Sequence, residues 1–363
     1  MSQNFLSWAL KVLPESSSFY NYNEGSELKL LKKWFNDKVE LIKSKNNYDG
    51  SYYDSLNLDF YIEYFSIIKQ IGLQNEFELE TNIDNIKLRG SFIKSLLIDS
   101  ENKNKVIVFC HGVSNNRWSL FYCIHIAIQA GYNALIYDAR NHGNSDKSYT
   151  TLGKVESDDL ENVLEWLIRN YKPISIGLYG FSMGASTVLH WIGKFQNKHP
   201  EVKSVFCEAP FDDFKKRFSS AINKVNKDKE DVKILNDANK KIGYFDKVKL
   251  QFFYGLAMKV MKAPFSLYDV KPILFLPSIL NLNLMIMHGT KDDVIDCDAS
   301  LEIWKKLVCK NKNKVELILV KDASHGDLPF LGDFSKGKLL NNNGEPIYET
   351  FSYILLDFFG KNL

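Results

Sequence analysis

The stretch IGLYGFSMGAST, residues 176–187, sets one hydroxyl, Ser182, between Gly180 and Gly184 where an apolar run gives way to a helix-like one. A tight strand-to-helix turn pushes its central side chain out of the sheet. Its neighbours two positions away must then be small, because the turn backbone presses on adjacent elements. The helix that follows aims its free N–H groups and the positive end of its dipole at the same point. A serine held there can attack a carbonyl carbon while the N–H of Met183 helps to hold the resulting oxyanion. The competing reading is that Ser182 only caps the helix.

A serine nucleophile needs a general base, and histidine is the usual one because it titrates near neutrality. There are seven histidines. His125 and His190 fall within amphipathic helical stretches and read as packing or surface residues, and His199 precedes a proline in a turn. His111, His142 and His288 each precede a glycine at or just beyond the end of a buried strand. All three are therefore expected on the active edge of a parallel sheet. His325, in VKDASHGD, follows the last buried strand and lies downstream of both the serine and the acid candidates. It is the expected base.

An acid must hold the imidazole in one tautomer. Asp292 and Asp293 are adjacent in MHGTKDDVID. Asp292 is favoured over Asp293, a solvated loop carboxylate or helix cap on the other reading. Glu208, in FCEAP, is the next candidate. A second oxyanion donor is expected from FCHGVSNNRW, where His111-Gly112 would shape a turn that leaves the N–H of Val113 free. The alternative there is an ordinary strand-to-helix loop.

These residues need a scaffold. EFELETN and IKLRGSFIK alternate with period two around IDN and predict an antiparallel hairpin. KVIVFC, YNALIYD, ISIGLYG, VKSVFCEAP, LNLMIMHG and KVELILVKD are continuous apolar runs, the mark of strands buried on both faces. Between and after them lie the helical stretches WSLFYCIHIAIQAG, VESDDLENVLEWLIRNY, ASTVLHWIGKF, DASLEIWKKLVCK and YETFSYILLDFFGK. This alternation predicts an α/β fold with a mostly parallel sheet and helices on both faces. Residues 211–281 break the rhythm and are too long for a loop in a compact domain, which predicts an inserted helical cap. Residues 1–75 read as an appended helical extension ahead of a domain spanning 76–363.

Composition narrows the function. The chain of 363 residues carries a formal charge of +2, so no global field recruits nucleic acid. The excess is local: residues 213–262 hold thirteen Lys or Arg against six Asp or Glu. A cap helix with its apolar face on the site and its lysines in water accounts for this; contact with an anionic membrane surface is the alternative. The five cysteines have no C-x-x-C spacing and read as buried reduced thiols, implying a reducing compartment. The N-terminal FLSWALKVL lacks the form of a signal peptide and no run is long enough to span a bilayer, so a cytoplasmic protein is expected. No histidine pair or cluster has metal-ligand spacing, and GLYGFSMG has neither the dinucleotide fingerprint nor a Walker lysine. No metal or cofactor is expected. Oligomeric state leaves no mark in the sequence.

HGVSNNRW, YDARNHGNSD, GFSMG, EAPF, HGTKDDVI and SHG, in that order, resemble the motif series of the serine α/β-hydrolases. They are most similar to the bacterial esterase-like and serine-aminopeptidase-like (S33) branch with an H-G-x-x-x-N oxyanion loop. The resemblance covers about residues 77–363. It implies an eight-stranded α/β-hydrolase sheet, a cap over the site, and cofactor-free hydrolysis through an acyl-enzyme. Three features depart from it: Glu208 stands where the family often has Asp, Asp296 replaces a frequent proline, and residues 1–75 have no counterpart in the minimal fold. The expected activity is hydrolysis of a small carboxylic ester, as by a carboxylesterase or lysophospholipase-like enzyme. The roles are Ser182 as nucleophile, His325 as base, Asp292 as acid, and Val113 and Met183 as oxyanion donors. Amide hydrolysis of the aminopeptidase type and a catalytically inactive binding protein are the alternatives.

Overall fold

In a computed structural model, the described residues are 69, 72–95, 97, 100–217, 269–326, 328, 339–340, 346–347 and 350–363. Nearly all of the expected N-terminal extension, and the 218–268 portion of the expected cap, lie outside them.

Strand β1 (Glu76–Glu80) alternates exposed and buried positions and pairs antiparallel with β2 (Lys87–Ile93), Leu79 opposite Leu88. The turn between them takes positive φ at Asp84 and Asn85, residue types that tolerate the left-handed region. Five strands are buried along nearly their whole length: β3 (Lys105–Cys110), β4 (Asn133–Tyr137), β5 (Ser175–Phe181), β6 (Val202–Glu208) and β7 (Asn283–Gly289). With β8 (Val315–Val320) they form the parallel body of the sheet. The strand order is β1-β2-β4-β3-β5-β6-β7-β8, extended by two further strands. These are β9 (Leu339–Leu340) and β10 (Pro346–Ile347), antiparallel and two residues each. The eight-stranded body matches the sequence reading; the extra hairpin was not foreseen, because two residues carry no periodicity.

Successive side chains of a strand point to opposite faces, and both faces here are apolar. Val106, Val108, Ile176, Leu178, Val205 and Ile286 belong to one core. It also takes in the apolar sides of α2 (Glu156–Tyr171), α3 (Met183–Phe195) and α5 (Asp298–Val308). Ile107, Phe109, Ile136, Tyr179, Phe206 and Met287 belong to the other, with α1 (Phe121–Gln129) and α6 (Phe351–Asn362). This two-sided burial is why the strands read as continuous apolar runs.

The chain leaves β3 to one side to form β4 and later returns on its other side to form β5. The sheet order reverses there, so the connections after β3 and β5 diverge and leave a crevice at their C-terminal ends.

The segments flanking residues 218–268 run together. Phe214 N–H donates to the Val270 carbonyl at 3.0 Å and Ile273 N–H to that of Asp212 at 3.2 Å. Ile273 lies in α4 (Pro272–Phe275), and Lys271 adds an ion pair to Asp213 at 3.3 Å. Among the cysteines, Cys110, Cys123 and Cys207 are buried thiols. Cys309 is exposed and Cys297 half-buried, which corrects the expectation that all five are buried. Among the described residues no helix is long and apolar enough to cross a membrane.

One buried ion pair ties the loop after β4 to α2. Arg140, wholly buried, donates from Nε and Nη2 to the two carboxylate oxygens of Asp159 at 2.6 and 2.8 Å, and from Nη1 to Asp84 at 3.0 Å. Arg140→Met leaves the Asp159 carboxylate buried without its partner. It should lower the unfolding free energy in urea by about 3–5 kcal/mol, and the double variant Arg140→Met/Asp159→Leu should recover much of that loss. A single variant within about 1 kcal/mol of the parent would contradict this view of the pair.

Candidate active site

Ser182 is the single residue between the end of β5 and the start of α3, with φ 53° and ψ −113°. For a residue with a β-carbon such a conformation costs on the order of 1–3 kcal/mol. It persists because the backbone around it leaves little choice. A Cβ on Gly180 would lie 2.6 Å from the carbonyl oxygen of Gly184 and 2.7 Å from Cα of Ala185. A Cβ on Gly184 would collide with the carbonyl of Cys110 and approach that of His111 to 2.9 Å. Strand end, helix start and the end of β3 are thus in backbone contact. Ser182 N–H donates to the Glu208 carbonyl at 2.9 Å, and the Ser182 carbonyl accepts from Ser186 N–H at 3.0 Å. The Ser182 side chain makes no capping hydrogen bond. The helix-cap reading therefore fails.

Its hydroxyl meets an imidazole instead. His325 Nε2 lies 3.0 Å from Ser182 Oγ, and His325 Nδ1 lies 2.7 Å from Asp292 Oδ2. An ionised carboxylate only accepts, so Nδ1 carries the proton and the Nε2 lone pair faces the serine hydroxyl. Both ring and carboxylate are buried. Asp292 folds its Oδ1 back onto the N–H groups of Val294 and Ile295, at 2.9 and 2.8 Å, an Asx-type turn that fixes the carboxylate plane. Burial works against ionisation of Asp292. The His325 charge and hydrogen bonds from His288 and His325 outweigh it and hold the carboxyl well below the usual range. Burial also opposes protonation of His325, but Asp292 prevails and raises the imidazole above its usual 6.5.

The two loops carrying these groups are fastened together. Lys291 N–H donates to the Ala323 carbonyl at 2.9 Å, Asp322 N–H to Thr290 Oγ1 at 2.9 Å, and Ser324 Oγ to Asp293 Oδ1 at 2.9 Å. Of the three carboxylates considered from the sequence, Asp292 hydrogen-bonds His325 Nδ1. Asp293 accepts from Ser324, and Glu208 accepts from the Tyr179 hydroxyl beneath the turn.

The N–H groups of Val113 and Met183 donate to nothing among the described residues. Met183 is the first residue of α3, where the helix has no acceptor to offer. The loop holding Val113 is bolted to the one after β4 by two histidines whose role sequence reasoning missed. His111 accepts from Ala139 N–H at Nε2, 3.0 Å, and so donates from Nδ1 to the Gly112 carbonyl at 2.8 Å. His142 accepts from Ser114 N–H at Nε2, 3.2 Å, and donates from Nδ1 to the Arg140 carbonyl at 2.7 Å. Both are neutral cross-braces. The His-Gly dipeptides marked the sheet edge, but dipeptides carry no information about which loop each ring would reach. His125 is half-buried in α1, and His190 is buried in α3, its Nδ1–H donating to the Ser186 carbonyl at 2.9 Å.

Two groups among the described residues bring three potential metal-ligand atoms together: Glu161, Glu165 and His199, and Asp296, Cys297 and Asp298. In the first, the Lys198 ammonium already bridges both carboxylates, at 2.6 Å from Glu161, and takes the place of a cation. Neither group includes Ser182, Asp292 or His325.

Chemically, the arrangement can remove a proton from a hydroxyl, stabilise the imidazolium that forms, and offer backbone donors to a developing negative charge.

A family model described as the alpha/beta hydrolase fold matches residues 105–219. In structure the chain is similar to the Pyrococcus furiosus esterase Pf2001, with a TM-score of 0.51 and 23% identity over 69% of this chain and 82% of that one. It is also similar to MGS-M2, an alpha/beta hydrolase enzyme from a Medee basin deep-sea metagenome library. That match has a TM-score of 0.50 and 16% identity, over 78% of this chain and 98% of the other. At these identities the likeness speaks for the fold alone. By sequence, 106 residues are 37% identical to the "Uncharacterized protein YqkD" of Bacillus subtilis (strain 168), 29% of this chain and 34% of that protein. The match thus spans about a third of that relative's length.

The backbone contact at the turn is directly testable. Gly184→Ala should destabilise the protein by about 1–3 kcal/mol in thermal or urea unfolding, since backbone must move to admit the methyl group. Gly360→Ala, whose Cβ would meet only the Tyr132 hydroxyl at 3.8 Å within α6, should be neutral or stabilising. Equal stability of the two variants would show that the turn is not tightly packed.

Proposed function

We propose that this chain, which has the α/β-hydrolase fold, is a serine hydrolase cleaving a carboxylic ester through an acyl-enzyme. The observation that carries the reading is the buried chain of contacts from Ser182 Oγ through His325 to Asp292, at 3.0 and 2.7 Å. Ser182 Oγ attacks the ester carbonyl carbon as His325 Nε2 takes its proton. The carbonyl oxygen becomes an oxyanion held by the N–H groups of Val113 and Met183. Asp292 remains ionised and stabilises the imidazolium. Collapse of the intermediate breaks the ester C–O bond, and His325 returns the proton to the departing alcohol. Water, deprotonated by the same nitrogen, then attacks the acyl-serine, and the acid leaves as Ser182 regains its proton.

We read residues 211–281 as a cap inserted at the C-terminal end of β6. The paired flanks at Phe214–Val270 and Asp212–Ile273 support this, because both ends of an insertion must leave the sheet at one point. Residues 1–75 remain an appended extension in this reading. Amide cleavage is the less supported activity, since no described residue identifies itself as a carboxylate for a substrate amine.

A fluorophosphonate probe should label the parent protein and not Ser182→Ala. Hydrolysis of p-nitrophenyl esters should fall by at least about a thousandfold in that variant. Aminoacyl-anilides should be poorer substrates than the esters; the reverse would favour the amidase reading. Equal labelling of both proteins, or of neither, would end the proposal.

The pH profile follows from the histidine. Only neutral His325 can accept the serine proton, so kcat/KM should fall as pH drops through its pKa. Asp292 lifts that pKa above 6.5, so the acid limb should have its midpoint above 6.5. A midpoint clearly below that value would exclude the ion pair from the free enzyme.

A further inference from the structure

His288 was placed on the sheet edge by its sequence position and has no part in the mechanism above. It is the penultimate residue of β7 and wholly buried. Its Nε2 lies 2.9 Å from the Ile295 carbonyl and 3.2 Å from Asp292 Oδ2, the same oxygen that receives His325. Both neighbours can only accept, so Nε2 carries a proton; it donates to the Ile295 carbonyl and presents its positive edge to Asp292 Oδ2. Its Nδ1 lies 2.7 Å from Ser300 Oγ, in the first turn of α5. Ser300 is also wholly buried, and its hydroxyl has no other hydrogen bond among the described residues. The hydroxyl therefore donates to Nδ1, which leaves His288 neutral and fixes its tautomer.

Around Asp292 the donors now add up. Val294 N–H and Ile295 N–H donate to Oδ1 and His325 to Oδ2, while the His288 Nε2–H, bonded to the Ile295 carbonyl, stands 3.2 Å from the same Oδ2 as a close electrostatic contact. A carboxylate offers about four lone-pair directions; three take hydrogen-bond donors here, and the His288 N–H edge lies against the fourth side. The Asp292 side chain is wholly buried, so the group cannot rotate without stranding a donor. Asp293, one residue on, has Ser324 as its side-chain partner and no comparable enclosure. The difference explains physically why one of two adjacent acids serves the imidazole.

We propose that His288, oriented by Ser300, is a positioning residue that fixes the Asp292 carboxylate toward His325. The catalytic consequence rests on the hydrolase reading above; the geometric one does not. Without the His288 N–H, Asp292 Oδ2 is free to turn from the ring, and His325 loses part of the interaction that favours its protonated form. The groups facing His325 are Asp292 and Asp293 from the loop after β7, Glu208 from β6, and Ser182.

The experiment is an NMR titration of the His325 ring in the parent, His288→Leu, Ser300→Ala and His288→Gln, with the resonance assigned through His325→Gln. The His325 midpoint should fall by roughly half a pH unit or more in His288→Leu and Ser300→Ala. In the first, the polar N–H beside the Asp292 carboxylate is lost, and in the second it is no longer held in place. His288→Gln, whose amide N–H can reach the position of Nε2, should restore much of the shift. On ester substrate, kcat should fall roughly tenfold in the first two variants with KM little changed. If His288→Leu does not fold, Ser300→Ala carries the test. A His325 midpoint unmoved in the folded variants would overturn the assignment, even if activity fell. A parent protein that ignores the fluorophosphonate probe, yet shows the midpoint shift in the variants, would end the hydrolase reading and leave the positioning role standing.

Discussion

The backbone of Gly184 rests against the carbonyl of Cys110 with no room for a β-carbon between them. Because β3 and β5 are hydrogen-bonded neighbours with Cys110 opposite Gly180, this contact sets how near the start of α3 comes to the loop that follows β3. It therefore fixes where the N–H of Met183 stands relative to that of Val113. It also forces Ser182 into a positive φ that few side chains tolerate, and so directs the hydroxyl out of the sheet. The strain is borne by the surrounding structure: the Glu208 carbonyl takes the serine N–H, and the Tyr179 hydroxyl binds the Glu208 side chain below.

Electrostatics complete what packing begins. A buried carboxylate is costly unless donors surround it, and Asp292 accepts three hydrogen bonds with the His288 N–H edge against it besides. The same donors keep it ionised and immobile, which in turn selects the tautomer of His325 and presents the Nε2 lone pair to Ser182. The loop after β3 is held by the opposite use of the same residue type. His111 and His142 act as neutral acceptors of backbone N–H groups, a role that protonation would abolish at those nitrogens. In the proposed mechanism histidine thus serves as reacting group, carboxylate positioner and loop brace within one edge of the sheet.

The strands could be read from their apolar runs because the sheet is covered on both faces, which keeps most positions of β3 through β7 apolar; Lys203 and Ser204 in β6 and His288 in β7 are exceptions. β1 was equally plain for the opposite reason: its period of two records one face in the core and one in water. The hairpin of β9 and β10 was invisible, since a two-residue strand has neither run nor period.

Chain order and local pattern determined which strand ends would carry Ser182, the Asp292–Asp293 pair and His325, because strand, turn and helix signals are written in neighbouring residues. Local pattern could not choose between adjacent carboxylates, nor assign a partner to each of the histidines that precede a glycine. Those choices belong to the tertiary structure. Ser182 and His325 are 143 positions apart, and His288 and Ser300 meet across a strand and a helix. Hydrogen bonds of this kind depend on distances of a few tenths of an ångström, which only the packing of sheet, helices and loops together can set.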